Sequence, residues 1–231
     1  NVLDFINVIV VPRINPDGNY LLHRYGAELN ADMNRDSLQM QARELVAAAT
    51  ANRLFMPHIQ FDLHENQANY LNSSGINGVD LWVGRANIGT APEILDYAHL
   101  ILERTIDRVN AGNDDNPGYI NDLWCMPYSP GFGPASRTGS PALLGTLSYL
   151  LEVRGNGLGR DYYGRRTHSH VMGIKCGSPA NVDEAKELYR KVTEWRENRI
   201  TQGGIYDETD PIVVKASKSG NVVISGNRPV I

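Results

Sequence analysis

The sequence of 231 residues holds only two cysteines, Cys125 and Cys176. Two thiols cannot build a disulfide scaffold, and these lack the paired spacing of a zinc ribbon or a redox motif. One disulfide and two buried thiols both stay open, and the compartment with them. Strings of basic residues are missing too: none reaches five in a row, and 22 Lys and Arg stand against 26 Asp and Glu, a formal charge of −4. That balance argues against a surface for nucleic acid or anionic membrane. The longest apolar runs, such as residues 8–11 and 147–151, fall far short of the roughly 20 residues of a membrane span. There is no charged n-region or small-residue cleavage site before the first apolar segment, so a signal peptide, if the protein has one, is expected outside this sequence, and no internal repeat is visible. What remains is 42% hydrophobic and 21% charged residues, an ordinary globular composition whose expected partners are peptides or small molecules. The length allows one large domain, with or without a short appendage, and excludes three.

Residues 5–11, Phe5-Ile6-Asn7-Val8-Ile9-Val10-Val11, read as a buried strand of a parallel sheet. A chain rarely opens on its central strand, so the start reads as a truncation or a proteolytic edge. Beyond it, strand-like and helix-like segments alternate, the pattern of an α/β fold with a mixed, largely parallel sheet flanked by helices. Asp36 or Ser37 is placed to cap a helix with Leu38, Leu45, Val46 and Ala49 on its apolar face. Residues 59–63, 78–83 and 147–153 read as strands. Thr90-Ala91-Pro92-Glu93 is a capping box opening a helix to Gly112, and residues 160–174 and 182–200 read as two more helices. Residues 113–140 form a long Gly/Pro/Asn-rich loop, a length that usually carries function. Residues 211–216 and 222–225, separated by a Gly/Asn turn, read as a β-hairpin. The expected organisation is a main domain, 1–203, and a hairpin extension, 204–231.

Chemistry concentrates in a few places. Asp62 and His64 lie two apart on a predicted strand and share a face near its carboxyl end, where α/β proteins bind ligands; a hydrogen-bonded structural histidine would look the same. Glu152 interrupts an otherwise apolar strand, where a carboxylate is costly unless a cation or a catalytic role explains it. An ion pair with Arg154 is the competing explanation. Asn15-Pro16-Asp17-Gly18 is a turn by composition. Residues 24–36 then crowd arginines, amides and acids into one loop, in which an Asn-Arg pair can hold a carboxylate and a second arginine can stabilise an oxyanion.

The order of these pieces is informative. Pro12-x-x-Asn15-Pro16-Asp17-Gly18, Arg24, Asp32-x-Asn34-Arg35-Asp36, Asp62-Leu63-His64 and Leu151-Glu152-x-Arg154-Gly155 together resemble the zinc carboxypeptidases related to carboxypeptidase A, across residues 12–155. The resemblance implies a carboxypeptidase-like fold and a Zn2+ cofactor with His64 as a ligand. It implies Glu152 as the base that deprotonates the attacking water, Arg24 as the oxyanion arginine, and Asn34 with Arg35 as the grip on the substrate's terminal carboxylate. Asp32 matches the acid that orients another zinc histidine. Counting back from Glu152 without gaps, the position matching the floor of the family's specificity pocket is Arg137, which would favour an acidic side chain; a solvated loop arginine is the alternative.

The chain departs from the family at one point. No His-x-x-Glu occurs: His23, His58, His64, His99, His168 and His170 are followed three positions on by Gly26, Phe61, Gln67, Leu102, Val171 and Gly173. In the family that segment precedes the Asn-Pro-Asp-Gly turn, so the expectation is an N-terminal fragment of the same protein that carries it, without which this chain is inactive. His168 and His170, two apart on a predicted helix, face different ways and read as packing contacts. The implied reaction is zinc-dependent hydrolysis of a C-terminal peptide bond. Two alternatives stand beside it: an amide deacylase of the aspartoacylase type acting on an N-acyl amino acid, which resembles the family in its Asp-x-His strand and Asn-Arg pair, and a metal-free carboxylate-binding pseudopeptidase.

Overall fold

A computed structural model describes residues 2–26, 28, 30–67, 79–85, 92–111, 123–128, 136–203, 211–216 and 220–225. The chain divides into two compact units, 1–192 and 193–231. The first is built on a four-stranded mixed sheet: β1 (Ile59–Gln67), β2 (Leu81–Arg85), β3 (Cys125–Pro127) and β4 (Leu147–Asn156), in the order β1-β4-β2-β3. β1 runs parallel to β4 and β2 parallel to β3, while β2 and β4 are antiparallel. The sheet is therefore mixed and largely parallel, as the alternating pattern implies.

β4 has a partner on either side, and its core residues Leu151 and Val153 are fully buried. Helices α3 (Pro92–Asn110) and α4 (Tyr163–Gly177) cover the face to which Phe61, Tyr149 and Leu151 point. Tyr149 Oη donates to the Ala98 carbonyl of α3 at 3.0 Å. Gly173 of α4 is there because the helix lies almost on the sheet: a β-carbon at that position would sit 2.9 Å from Leu151 Cδ1 and 3.0 Å from Leu81 Cδ2. Side chains alternate along a strand, so Asp62, His64 and Glu152 project from the opposite face. Helix α2 (Arg43–Phe55) reaches that side, where Asn52 Nδ2 donates to Gln60 Oε1 at 3.2 Å.

The second unit contains the end of α5 (Val182–Gly203) and the antiparallel hairpin of β5 (Pro211–Ala216) and β6 (Gly220–Ser225), paired Val213 to Val223. The hairpin stands where the sequence puts it, although its tip, residues 217–219, lies outside the described residues. So do the Thr90-Ala91 half of the capping box and residues 112–122 and 129–135 of the long loop.

Three expectations need correction. Residues 5–11 are not a strand: they pair with nothing among the described residues, and Val8, Ile9, Val10 and Val11 are 49–72% exposed. An apolar β-branched run suits a strand, but only a neighbouring ladder satisfies its backbone groups and covers its side chains. Helix α2 starts at Arg43 rather than after Asp36 or Ser37, and Leu38 and Val46 face solvent while Leu45 and Ala48 are buried. Asp36 still serves the helix entry, because its Oδ2 accepts the Ala42 amide at 2.9 Å. The helix expected over 160–174 starts at Tyr163, after Gly157, Gly159 and Tyr162 have turned through positive φ. Both cysteines are buried free thiols.

Candidate active site

The register of the sheet assembles the site. His64 on β1 is directly opposite Glu152 on β4, and Trp82 on β2 is opposite Glu152 on its other side. Residues opposite one another share a face, so Glu152 stands between an imidazole and a buried indole. Its Oε2 is buried without a hydrogen-bond partner. Burial, aided by the Asp62 charge, pushes the Glu152 carboxyl above its usual range, against the opposing pull of His64 and Arg24. No ion pair joins Glu152 to Arg154 among the described residues.

His64 is held from two sides. Its Nε2 lies 3.2 Å from Asp62 Oδ1, and His170 Nε2 of α4 meets its backbone carbonyl at 3.0 Å. Burial would lower the His64 pKa, but the hydrogen bond and charge of Asp62, with Glu152 behind, raise it. Burial would likewise raise Asp62, yet His64, the Thr138 hydroxyl and the Arg137 cation hold it below the ordinary carboxylate range. Burial pushes His170 down, so that ring tends to neutrality.

The turn at residues 136–139 is tied to the site by two hydrogen bonds. Thr138 Oγ1 donates to Asp62 Oδ2 at 2.6 Å, and the Arg137 amide donates to Asn34 Oδ1 at 2.8 Å. Asn34 Oδ1 is so bound, and its Nδ2 makes no hydrogen bond among the described residues. The Arg137 side chain is 8% exposed, its Nε is buried without a partner, and no carboxylate lies within ion-pair distance among the described residues. It is not the solvated loop arginine of the alternative reading. A guanidinium so placed favours an anionic ligand that would complete it.

The loop bearing the remaining residues is tied by Asn15. That side chain caps the short helix α1 (Pro16–Tyr20) by accepting the Gly18 amide at 2.8 Å, and its Nδ2 donates to the Arg24 and Tyr25 carbonyls at 3.3 Å each. Gly18 is required, since a β-carbon would lie 2.1 Å from Asn15 Nδ2. Arg24 donates through Nε (3.0 Å) and Nη2 (2.8 Å) to Asp32 Oδ2. Asp32 Oδ1 accepts the Asn34 amide at 3.0 Å. Asp32 thus supports Arg24 and the loop backbone. Arg35 is exposed and turns back to the Asn34 carbonyl at 2.7 Å. Sequence reasoning missed Thr138, which is one more small polar residue in a polar loop, and read His170 as packing; neither has a local signal, because each acts through a partner 76 or 106 positions away.

Zinc, implied by the resemblance, can be tested against these donors. His64, steadied by a carboxylate, suits one corner of such a site. A catalytic zinc takes three protein ligands. All six histidines and both cysteines are among the described residues, yet no three His, Cys, Asp or Glu side chains there converge on one point. As they stand these residues do not fit the ion.

No protein-family model matches the chain. Carboxypeptidase 2 of Trichophyton equinum, carboxypeptidase 2 of Trichophyton rubrum and a probable carboxypeptidase 2 of Arthroderma benhamiae are each 25% identical to it over 205 residues, covering 83% of this chain. The chain spans 37%, 37% and 38% of those proteins' lengths. Among solved structures, a metallo-carboxypeptidase from Burkholderia cenocepacia matches at a TM-score of 0.47 and 18% identity, over 79% of this chain and 44% of that one. One from Pseudomonas aeruginosa matches at 0.42 and 15%, over 82% and 44%. At that distance no residue is transferred from either structure. These sequence relatives are named as carboxypeptidases, in agreement with the order of the motifs.

Proposed function

We propose that the full-length protein hydrolyses the C-terminal peptide bond of peptides and favours an acidic C-terminal residue. The observation that carries the reading is the pairing of His64 with Glu152 across β1 and β4, joined through Asp62 and Thr138 to the turn whose Arg137 amide meets Asn34. In this reading Asn34 Nδ2 and Arg35 grip the terminal carboxylate, and Arg137 receives the side-chain carboxylate. Glu152 takes the proton of the attacking water, a role suited to a carboxylate whose proton affinity burial has raised. Arg24, exposed on its loop, is available to the developing oxyanion. Zinc dependence would require two protein ligands beyond His64, supplied from outside the described residues.

One observation favours a second reading. Arg137 Nε is buried without a partner and no three metal-ligating side chains converge among the described residues, which suits a metal-free binder of acidic C-terminal peptides. The test is to assay the full-length protein on peptides ending in Glu, Phe and Lys, natively and as Arg137→Ala. Release of Glu in preference to Phe, lost in the variant by about 10- to 100-fold, is the expected result. Preference for Phe or Lys would overturn the acidic assignment. Binding of the Glu peptide without release would favour the binder.

A further inference from the structure

The turn that bears Arg137 contains a second residue whose contacts go beyond substrate selection. Thr138 is fully buried, and its hydroxyl donates to Asp62 Oδ2 at 2.6 Å. The other oxygen of that carboxylate, Oδ1, faces His64 Nε2 at 3.2 Å. A carboxylate held only by a histidine can rotate about its terminal torsion, which is broad. One pinned through its second oxygen cannot. The turn is itself rigidly tied: Ser136 Oγ accepts the Gly139 amide at 2.9 Å, Ser140 N donates to the Ser136 carbonyl at 3.0 Å, and the Arg137 amide is fastened to Asn34. The hydroxyl therefore approaches Asp62 from a fixed direction.

We propose that Thr138 is a positioning residue for His64, acting through Asp62: it aims Oδ1 at Nε2, keeps the ring proton on Nε2, and so presents the Nδ1 lone pair to the site. Which ring nitrogen carries the proton is set by the hydrogen bond the other nitrogen lacks or makes. The Asp62 carboxylate is the group that sets it, and Thr138 is what keeps that carboxylate aligned. A consequence is that the same four-residue turn orients the substrate grip, through the Arg137 amide and Asn34, and the imidazole, through Thr138. Only this catalytic consequence rests on the hydrolase reading; the ring geometry does not.

Nitrogen-15 NMR of the His64 imidazole in the intact 231-residue chain, in buffer alkaline enough to keep the ring neutral, reads the tautomer directly. The native chain should show Nε2–H as the dominant form. Thr138→Val should lower the ratio of Nε2–H to Nδ1–H by about tenfold, the effect of releasing a hydrogen bond to a charged group, while Thr138→Ser, which restores the hydroxyl, should return it. If Thr138→Val does not fold, Thr138→Ala is read in the same way. A ratio unchanged within about twofold in the hydroxyl-free variant, or a ratio lost equally in Thr138→Ser, overturns the proposal, since the first denies the hydroxyl any effect and the second assigns the effect to packing. Failure of the peptidase assay leaves this result intact, and the reverse also holds, so the two readings fail separately.

Discussion

Residues 5–11 and residues 147–153 are near equals as sequences and opposites as structures. Both are mostly apolar runs rich in Val, Ile or Leu, interrupted by Asn7 in the first and by Ser148 and Glu152 in the second. In β4, Leu151 and Val153 have no exposure at all, whereas Val10 is 72% and Val8 56% exposed. The difference lies in the neighbours: β4 is hydrogen-bonded to β1 on one side and β2 on the other, and residues 5–11 have no ladder among the described residues. β-propensity measures fit to a half-buried pleated surface, so it identifies segments able to be strands and leaves open which of them are. The same contrast runs through the site. Its sheet-borne half, His64 and Glu152, is set by register. Its loop-borne half, Arg24, Asp32, Asn34 and Arg35, hangs on Asn15, a few side-chain bonds and a small cluster of Met33, Ala42, Leu45 and Ile14.

The sharpest way to break the comparison is to truncate matched apolar residues in the two runs. Leu151→Ala removes a fully buried side chain from beneath Gly173 and should cost about 2–5 kcal/mol in urea unfolding. Val10→Ala should stay within about 0.5 kcal/mol, as exposed substitutions do. Similar costs at both positions would show that residues 5–11 are packed in solution and erase the contrast.

Within the sheet-borne half, Glu152→Gln in the full-length protein should leave the fold intact, since Oε2 has no partner to lose. Hydrolysis should fall at least about a hundredfold, the size of effect expected when a general base is removed. Circular dichroism and turnover on a Glu-terminated peptide check the two halves together. Retained turnover would reduce Glu152 to a structural group, and loss of folding would do the same.

How much of this was legible follows from where the information sits. The strand 59–63 was readable from its alternation of apolar and polar residues, the strand 147–153 from its mostly apolar run, and Glu152 because it violates that pattern. Their adjacency was not readable, since parallel strands 88 positions apart in register, Leu63 to Leu151, are joined by tertiary contacts alone. The order of the motifs supplied the likeness to a family and, through it, Arg24, Asn34 and Arg35. Asp32 came by the same route, and its oxygens accept from Arg24 and the Asn34 amide. The strand over 5–11 failed because a sequence pattern has no means of reporting a missing partner.

The smallest expected effect compares two ion pairs, one anchored between helices and one on the amino-terminal loop. Glu184 of α5 accepts from Arg104 Nη1 at 2.8 Å and Arg108 Nη2 at 2.9 Å, both on α3, and from the Ala180 amide at 2.9 Å. Burial would raise its pKa, but the Ala180 amide and the two arginines outweigh that and lower it. A carboxyl whose folded pKa is depressed adds stability that is present above its unfolded pKa, about 4.3, and is lost as pH falls through the lower folded value. Glu184→Gln should therefore destabilise by about 1 kcal/mol at neutral pH, with the difference shrinking as the pH falls below about 4 and both chains carry a neutral group there. The Arg24 and Asp32 pair, with the arginine 57% exposed, gains less from the same kind of bond, and Arg24→Gln should change stability by no more than about 0.5 kcal/mol. Urea titrations at several pH values measure both. A Glu184→Gln penalty that persists unchanged into acid would show that packing of the side chain, and not its charge, ties α5 to α3.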